Sequence, residues 1–371
     1  MNPQSFIHHG SLIPLADPIP VEWGWFKLFL ILTFTVHILL VNIMLGTGII
    51  AWISGMRQNS TGSLLPVQKD VATKLPVIIA LAINFGVAPF LFLQILFGQF
   101  IYVSSQLMAV YWLCVIAVLI IAYYAAYYYK FNFDALNEQR STFIGISVIL
   151  LLLIGFIFSN NMTLMLNPKA WPGYFTNPDG LLLNLSDPVL FPRYLHFITA
   201  SLAVGGLFIA AVWTLKQEKD TNLKNIAQKN IDLGMKWFTF ATLFQIAVGF
   251  WFQMSLPKNI MQLFMGTSLP HTALFIAALF LVLQTLYFSI KKQVWPTAFS
   301  FVILAAAMIN MRDAVRTAYL SPYFKVSDLE VTGQYSPFIV FAVSLAIVTG
   351  LIIYVLGLAV KTGKEKSLSQ I

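Results

Sequence analysis

Three histidines stand where hydrocarbon should surround them. His37 lies in "LTFTVHILLVNIMLG" (32–46), His196 in "RYLHFITA" and His271 in "QLFMGTSLPH", each within a long apolar run. A neutral imidazole in lipid costs less than a charge, but each ring nitrogen still needs a partner. Three uses fit such a position: an interhelical hydrogen bond, the lining of a pore, or an axial bond to haem iron. Methionines gather near the same helix ends: Met162, Met165, Met254, Met261, Met265, Met308 and Met311. Methionine is packing far more often than ligand. Met265 is the exception to weigh, because its depth lets it face His196, and a His/Met pair is an axial set that raises haem potential. Arg193 stands beside His196, and Arg312 and Arg316 in "MINMRDAVRTAYL" share a helix face at i,i+4 spacing. These arginines suit haem propionates; snorkelling to lipid headgroups is the plain alternative.

Acids are scarce in the same segments. Asp313 is the one carboxylate near an apolar run, which argues against proton-coupled transport, since pumps and transporters relay protons through intramembrane carboxylates. The single cysteine, Cys114, permits no internal disulfide, no iron–sulfur cluster and no C-x-x-C-H haem attachment, and reads as packing.

The elements that must position these groups are membrane helices. The chain has 371 residues, 58% hydrophobic and 10% charged. Apolar runs of about 20 residues cross a bilayer only as helices, which satisfy their own backbone groups. Nine spans are predicted, at 24–54, 72–104, 108–129, 141–165, 193–215, 233–255, 260–290, 295–320 and 336–360. The first lacks a basic flank and is too long for a secretion signal. Most of the 22 Lys and Arg fall in alternate connections, including Arg57, Lys69, Lys74, Lys130, Arg140, Lys216, Lys291 and Lys292. The positive-inside rule then gives N-out/C-in, and the net charge of +8 reflects topology, with no nucleic-acid partner. On this layout His196 is near the outer surface. His271 is about 16 Å and His37 about 20 Å inside it, at 1.5 Å per residue. His8 and His9 precede the first span, on the outer surface. The outer loop 166–192 is rich in Pro, Gly, Asn and Asp and should be irregular with a short helical turn. The inner loop 216–232 is Lys-rich, and the sixth and seventh spans are joined by little more than "LPKN". No internal repeat is visible. The whole of 1–371 reads as a single transmembrane domain.

Several stretches resemble subunit I of the cytochrome bd quinol oxidases. "LTFTVHILLVNIMLG" is similar to that family's first helix, where the histidine in an L-T-x-x-x-H setting ligates the active-site haem. "INFGVAPFLFLQILFGQFIYVSS" (83–105) resembles its second helix, with Gln94 where the family has glutamate. "SDPVLFPRYLHFITASLAVGGLFIAAVWTLKQEKD" (186–220) resembles its fifth-helix region. The resemblance implies that His196 ligates a low-spin b haem opposite a seventh-helix methionine, here Met265. The likeness covers most of the first 250 residues, and nine spans with N-out/C-in orientation agree with it. The departures are specific. The family's long outer loop between the sixth and seventh spans, which helps form the quinol site, has no counterpart here. Its third-helix acids are missing from "MAVYWLCVIAVLIIAYYAAYYY", and its eighth-helix glutamate ligand is missing from "AAMINMRDAVRTAYL".

The sequence therefore reads as an all-α integral membrane protein: nine transmembrane helices, N-out/C-in, in a haem-binding bundle. His37, His196, Met265 and His271 are the expected iron ligands, with His271 replacing the lost glutamate at a separate haem. Arg193, Arg312 and Arg316 are expected at the propionates. The resemblance implies two or three b-type haems, one open to modification. It also implies a related membrane subunit as partner and a prokaryotic cytoplasmic (inner) membrane. The missing loop points to an outer-side donor such as a c-type cytochrome. Two rival readings are a true terminal oxidase reducing O2, and a transporter or channel whose histidines line a path.

Overall fold

A computed structural model describes residues 12–57, 65–176 and 178–368. His8 and His9 lie outside the described residues. Nine long helices account for most of that chain: α1 Trp23–Met56, α2 Leu65–Leu107, α3 Ala109–Phe131, α4 Arg140–Leu166, α5 Leu190–Lys219, α6 Lys224–Ser255, α7 Leu269–Ile290, α8 Val294–Leu320 and α9 Tyr335–Leu368. Each is long and apolar enough to cross a membrane. The observed helices mostly run past the predicted spans, because polar turns at the ends continue the helical backbone beyond the hydrocarbon. α2 accommodates Pro76 and Pro89 and breaks its helical dihedrals at Phe97 (φ −140°, ψ 31°). The 166–192 connection is irregular, with a 3₁₀ stretch over Pro168–Phe175.

The seventh span departs from expectation. It does not run unbroken from residue 260. After α6 comes a short helix, Lys258–Gln262, and then a π-type turn over Leu263–Thr267. Within that turn Met265 is non-helical and Gly266 has φ +113°, a conformation that side-chain-bearing residues rarely adopt. Ser268 then caps α7, and Pro270 takes a first-turn position where its missing N–H costs nothing.

The helices alternate direction. At the end where α1 begins, the proximal end, Lys27 pairs with Asp313 of α8 at 3.0 Å. There too Leu182 N–H donates to Leu107 O, and a single parallel bridge joins Ile19 to Val331. The distal end is marked by Lys69–Asp134, Lys216–Asp70 and Lys292–Asp232 pairs.

Lipid supplies no hydrophobic drive between helices, so close packing and polar contacts must hold them. α5 is the hub. A Cβ on Gly46 of α1 would sit 1.8 Å from Ser201 O of α5, and one on Gly205 would sit 2.3 Å from Gly46 C. On another face of α5, a Cβ on Gly206 would lie 2.6 Å from Gly234 O of α6. The backbones touch at both seams, and only glycine allows it. Polar contacts follow the same seams: Ser201 Oγ donates to Asn42 Oδ1 at 2.8 Å, and the Thr199 hydroxyl donates to Gln245. Further out, Tyr194 OH donates to Leu152 O of α4 at 2.7 Å, and Thr285 donates to Ser300 Oγ between α7 and α8 at 3.0 Å.

Gly46→Ala should therefore force α1 and α5 apart and cost about 1–3 kcal/mol of stability, as overpacking does. Gly350→Ala, at a site with nothing within 4 Å, should be neutral. Denaturant titration of both variants in detergent checks this; equal midpoints would show that the seam is not tight.

Candidate functional site

The glycine seam sets where the histidines stand. His37 is nine residues before Gly46, and His196 is nine residues before Gly205. α1 and α5 both start at the proximal end, so the two imidazoles lie at one level, about 14 Å from the crossing. Nine residues are also two and a half helical turns. Each histidine thus points away from the seam, His37 toward α2 and His196 toward α6. One iron cannot bind both.

The side chains obey this register. The His37 ring lies against Gly86 of α2, where a Cβ would come within 2.8 Å of its Cε1. Its Nδ1 is 3.0 Å from Ala82 O. A carbonyl only accepts, so Nδ1 carries the proton and Nε2 keeps its lone pair, the tautomer a metal ligand needs. His196 lies beside Gly249 of α6, whose Cβ would sit 3.4 Å from its Cε1. Its buried Nδ1 meets no partner among the described residues.

Each imidazole is joined to an arginine through an aromatic ring. Phe34 is 6.3 Å from the His37 ring, centroid to centroid, and the Arg312 guanidinium lies 4.3 Å over Phe34. Phe252 is 6.0 Å from the His196 ring, and the Arg193 guanidinium lies 5.7 Å over Phe252. Two arms of the same composition result, one on each side of the α1–α5 pair. Arg316 is the third guanidinium. It is buried, stacks at 4.6 Å on Phe97 where α2 is kinked, and bonds Asp313, yet its Nε and Nη1 meet no partner among the described residues.

Charge does not balance here. Lys27, Arg193, Arg312 and Arg316 face one ion-paired carboxylate, Asp313, with Asp187 close to Arg193. Asp187 is already engaged, accepting from Val189 N–H and Asn184 Nδ2. Of these guanidiniums only Arg316 is buried, while Arg193 is half-buried and Arg312 exposed; a buried guanidinium with unmet nitrogens is costly unless an anion joins it. Guanidiniums match carboxylates bidentately, so the arrangement can hold a flat ligand that bears acid groups and offers a metal to imidazole. No group of three or more His, Cys, Asp or Glu suited to a bare metal ion occurs among the described residues.

The structure brings together His37, His196, Arg193, Arg312 and Arg316 in the proximal half. It treats the other two expected ligands differently. His271 is not eleven residues deep. The break at Leu263–Thr267 puts it in the first turn of α7, where Nδ1 and Ser268 Oγ bond at 2.6 Å. The same break removes the expected continuous helix between Met265 and His271. Met265 lies on the turn itself, 58% exposed. The sequence does not single out Phe34, Phe252 or Gly249, whereas Gly86 belongs to the Gly-Val-Ala of the stretch that resembles the bd family's second helix. Of the first three only Phe34 carries a local signal, three residues before His37 on one helix face.

No protein-family model matches the chain, and no curated protein matches it in sequence. Among solved structures, the chain is similar to the bd oxidase from Geobacillus thermodenitrificans, with TM-score 0.59 at 13% identity, over 89% of this chain and 96% of that one. The fold is thus that of a bd-oxidase-like helical membrane protein.

Proposed function

We propose that the chain is a b-type haem protein that carries electrons in a prokaryotic respiratory chain, similar to subunit I of cytochrome bd oxidases. The observation that supports this most is the pair of His–aromatic–Arg arms at one level of α1 and α5. The unmet polar atoms fit the group: a buried histidine nitrogen and two buried guanidinium nitrogens, in a region with too few carboxylates. Haem iron held there supplies one-electron redox chemistry.

The chain's own residues do the rest. His37 presents Nε2 as ligand while Ala82 O fixes its ring. His196 presents its imidazole nitrogen from α5 on the opposite side. Arg312, Arg193 and Arg316 bind propionate carboxylates, and Asp313 holds Arg316 in place. Met265, an exposed thioether on the turn before α7, would serve with His196 as a ligand in this reading. His271, braced on Ser268, is assigned no iron, so the reading has two haems. The proximal end faces outward, and the lysine-rich distal end faces the cytoplasm, as the positive-inside rule requires. A related membrane subunit and an outer-side c-type cytochrome complete the pathway. The shared bd-oxidase fold favours a second reading, a terminal oxidase reducing O2; gas-tight oxygen uptake separates the two.

A reduced-minus-oxidised optical spectrum should show b-type haem. His37→Ala and His196→Ala should each remove one haem and leave the other's bands intact, because the two imidazoles face apart. Loss of both haems in either folded single variant, or full content in both, would contradict the two-site reading.

Haem reduction should be rapid with a reduced c-type cytochrome and slow with a soluble quinol analogue, followed by stopped-flow absorbance. Fast reduction by the quinol, blocked by a quinone-site inhibitor, would reverse the assignment of donor.

A further inference from the structure

The distal end holds a feature that the haem reading does not use. Between α2 and α3 lies a cleft of about 280 Å³, lined by Lys69, Thr73, Lys130, Phe131, Asn132 and Asp134 among others. Lys69 Nζ spends its charge on both carboxylate oxygens of Asp134, at 3.0 Å each. Lys130 has no carboxylate within ion-pair distance among the described residues. Its Nζ lies over aromatic faces, 5.6 Å from the Phe131 ring centre and 5.9 Å from that of Tyr127. Behind the cleft, Arg140 is buried against Phe133 and donates to backbone oxygens of Phe133 and Asp134, adding a second positive charge without an ion-paired carboxylate.

The position is that of a membrane interface. Tyr124 and Phe131 on α3 are each 73% exposed, and Val77, one turn beyond Thr73 on α2, is 52% exposed. Aromatic rings gather at headgroup level, and basic pockets between helices take acidic headgroups. The lining itself carries two cations and one anion, a net charge of +1, and Arg140 behind it adds to the positive field, so an anion is favoured there. Apolar surface continues into the bilayer from the same helix faces, as acyl chains need.

We propose that this cleft binds the headgroup of one anionic phospholipid of the phosphatidylglycerol class. Its phosphodiester lies against Lys130 and its hydroxyls reach Asn132 and Asp134. The site stands independently of any haem. Free phosphate shares the chemistry, but it would make no use of the exposed apolar faces below Thr73 and Lys130.

The test is native mass spectrometry of the full chain released from nanodiscs of mixed phosphatidylcholine and phosphatidylglycerol. The wild-type chain should keep one phosphatidylglycerol that Lys130→Gln loses. Lys130→Arg should keep it, and so should Lys325→Gln at the far end, with the same far-UV circular dichroism throughout. Retention by Lys130→Gln would overturn the proposal, as would equal retention of phosphatidylcholine. Displacement of the lipid by millimolar inorganic phosphate would assign the site to free phosphate instead.

Discussion

Backbone contact along the faces of α5 governs the rest of the molecule. Gly205 lets α1 touch it and Gly206 lets α6 touch it, with adjacent residues serving two seams. A helix is stiff along its axis, so a contact at one turn sets height and rotation several turns away. The nine-residue spacing from each seam glycine to each histidine converts one packing event into two imidazole positions. His37 and His196 are level with each other and face opposite ways for that reason alone. The hydroxyl and amide contacts between Ser201 and Asn42, and between Thr199 and Gln245, hold the same register. Interhelical bonds of this kind contribute on the order of 0.6 kcal/mol each, so close packing of the backbones matters more than the bonds beside it.

The two ends of the bundle treat charge differently. At the distal end, several lysines meet carboxylates in pairs, Lys69 with Asp134, Lys216 with Asp70 and Lys292 with Asp232, although Lys130 and Arg140 there have no such partner among the described residues. In the proximal half, Arg312 and Arg193 rest on aromatic faces, and Arg316 shares Asp313 with Lys27. A ring face attracts a guanidinium but does not neutralise it. For the buried Arg316, stability alone would favour a full set of partners or an apolar side chain. The same surplus that is costly to the polypeptide alone is what an acidic ligand would bind.

The break between α6 and α7 shows how a local feature can overrule hydropathy. The residues from 260 onward are apolar enough to count as one span. Gly266 at φ +113° and the Ser268–Pro270 helix start divide them. Met265 and His271 then fall on different elements, and a depth counted along one ideal helix no longer applies to either.

The sequence by itself determined the membrane class and the number of long helices among the described residues, and it offered His37, His196, Met265, His271, Arg193, Arg312 and Arg316 as candidates by residue type and resemblance; the class and the helices rest on firmer physics. Those follow from composition and run length, because lipid admits only segments that satisfy their own backbones. The resemblance of the first and fifth helices to bd oxidases also agrees with the fold likeness. Tertiary structure decided which groups meet. Gly86 and Gly249 make room for the two imidazoles, and Phe34 and Phe252 carry Arg312 and Arg193. Phe252 and Gly249 lie more than fifty residues from His196, and Arg312 lies still further from Phe34, so no local periodicity could pair them. Hydropathy reports how deep a helix runs, whereas rotation and height come from where two backbones touch.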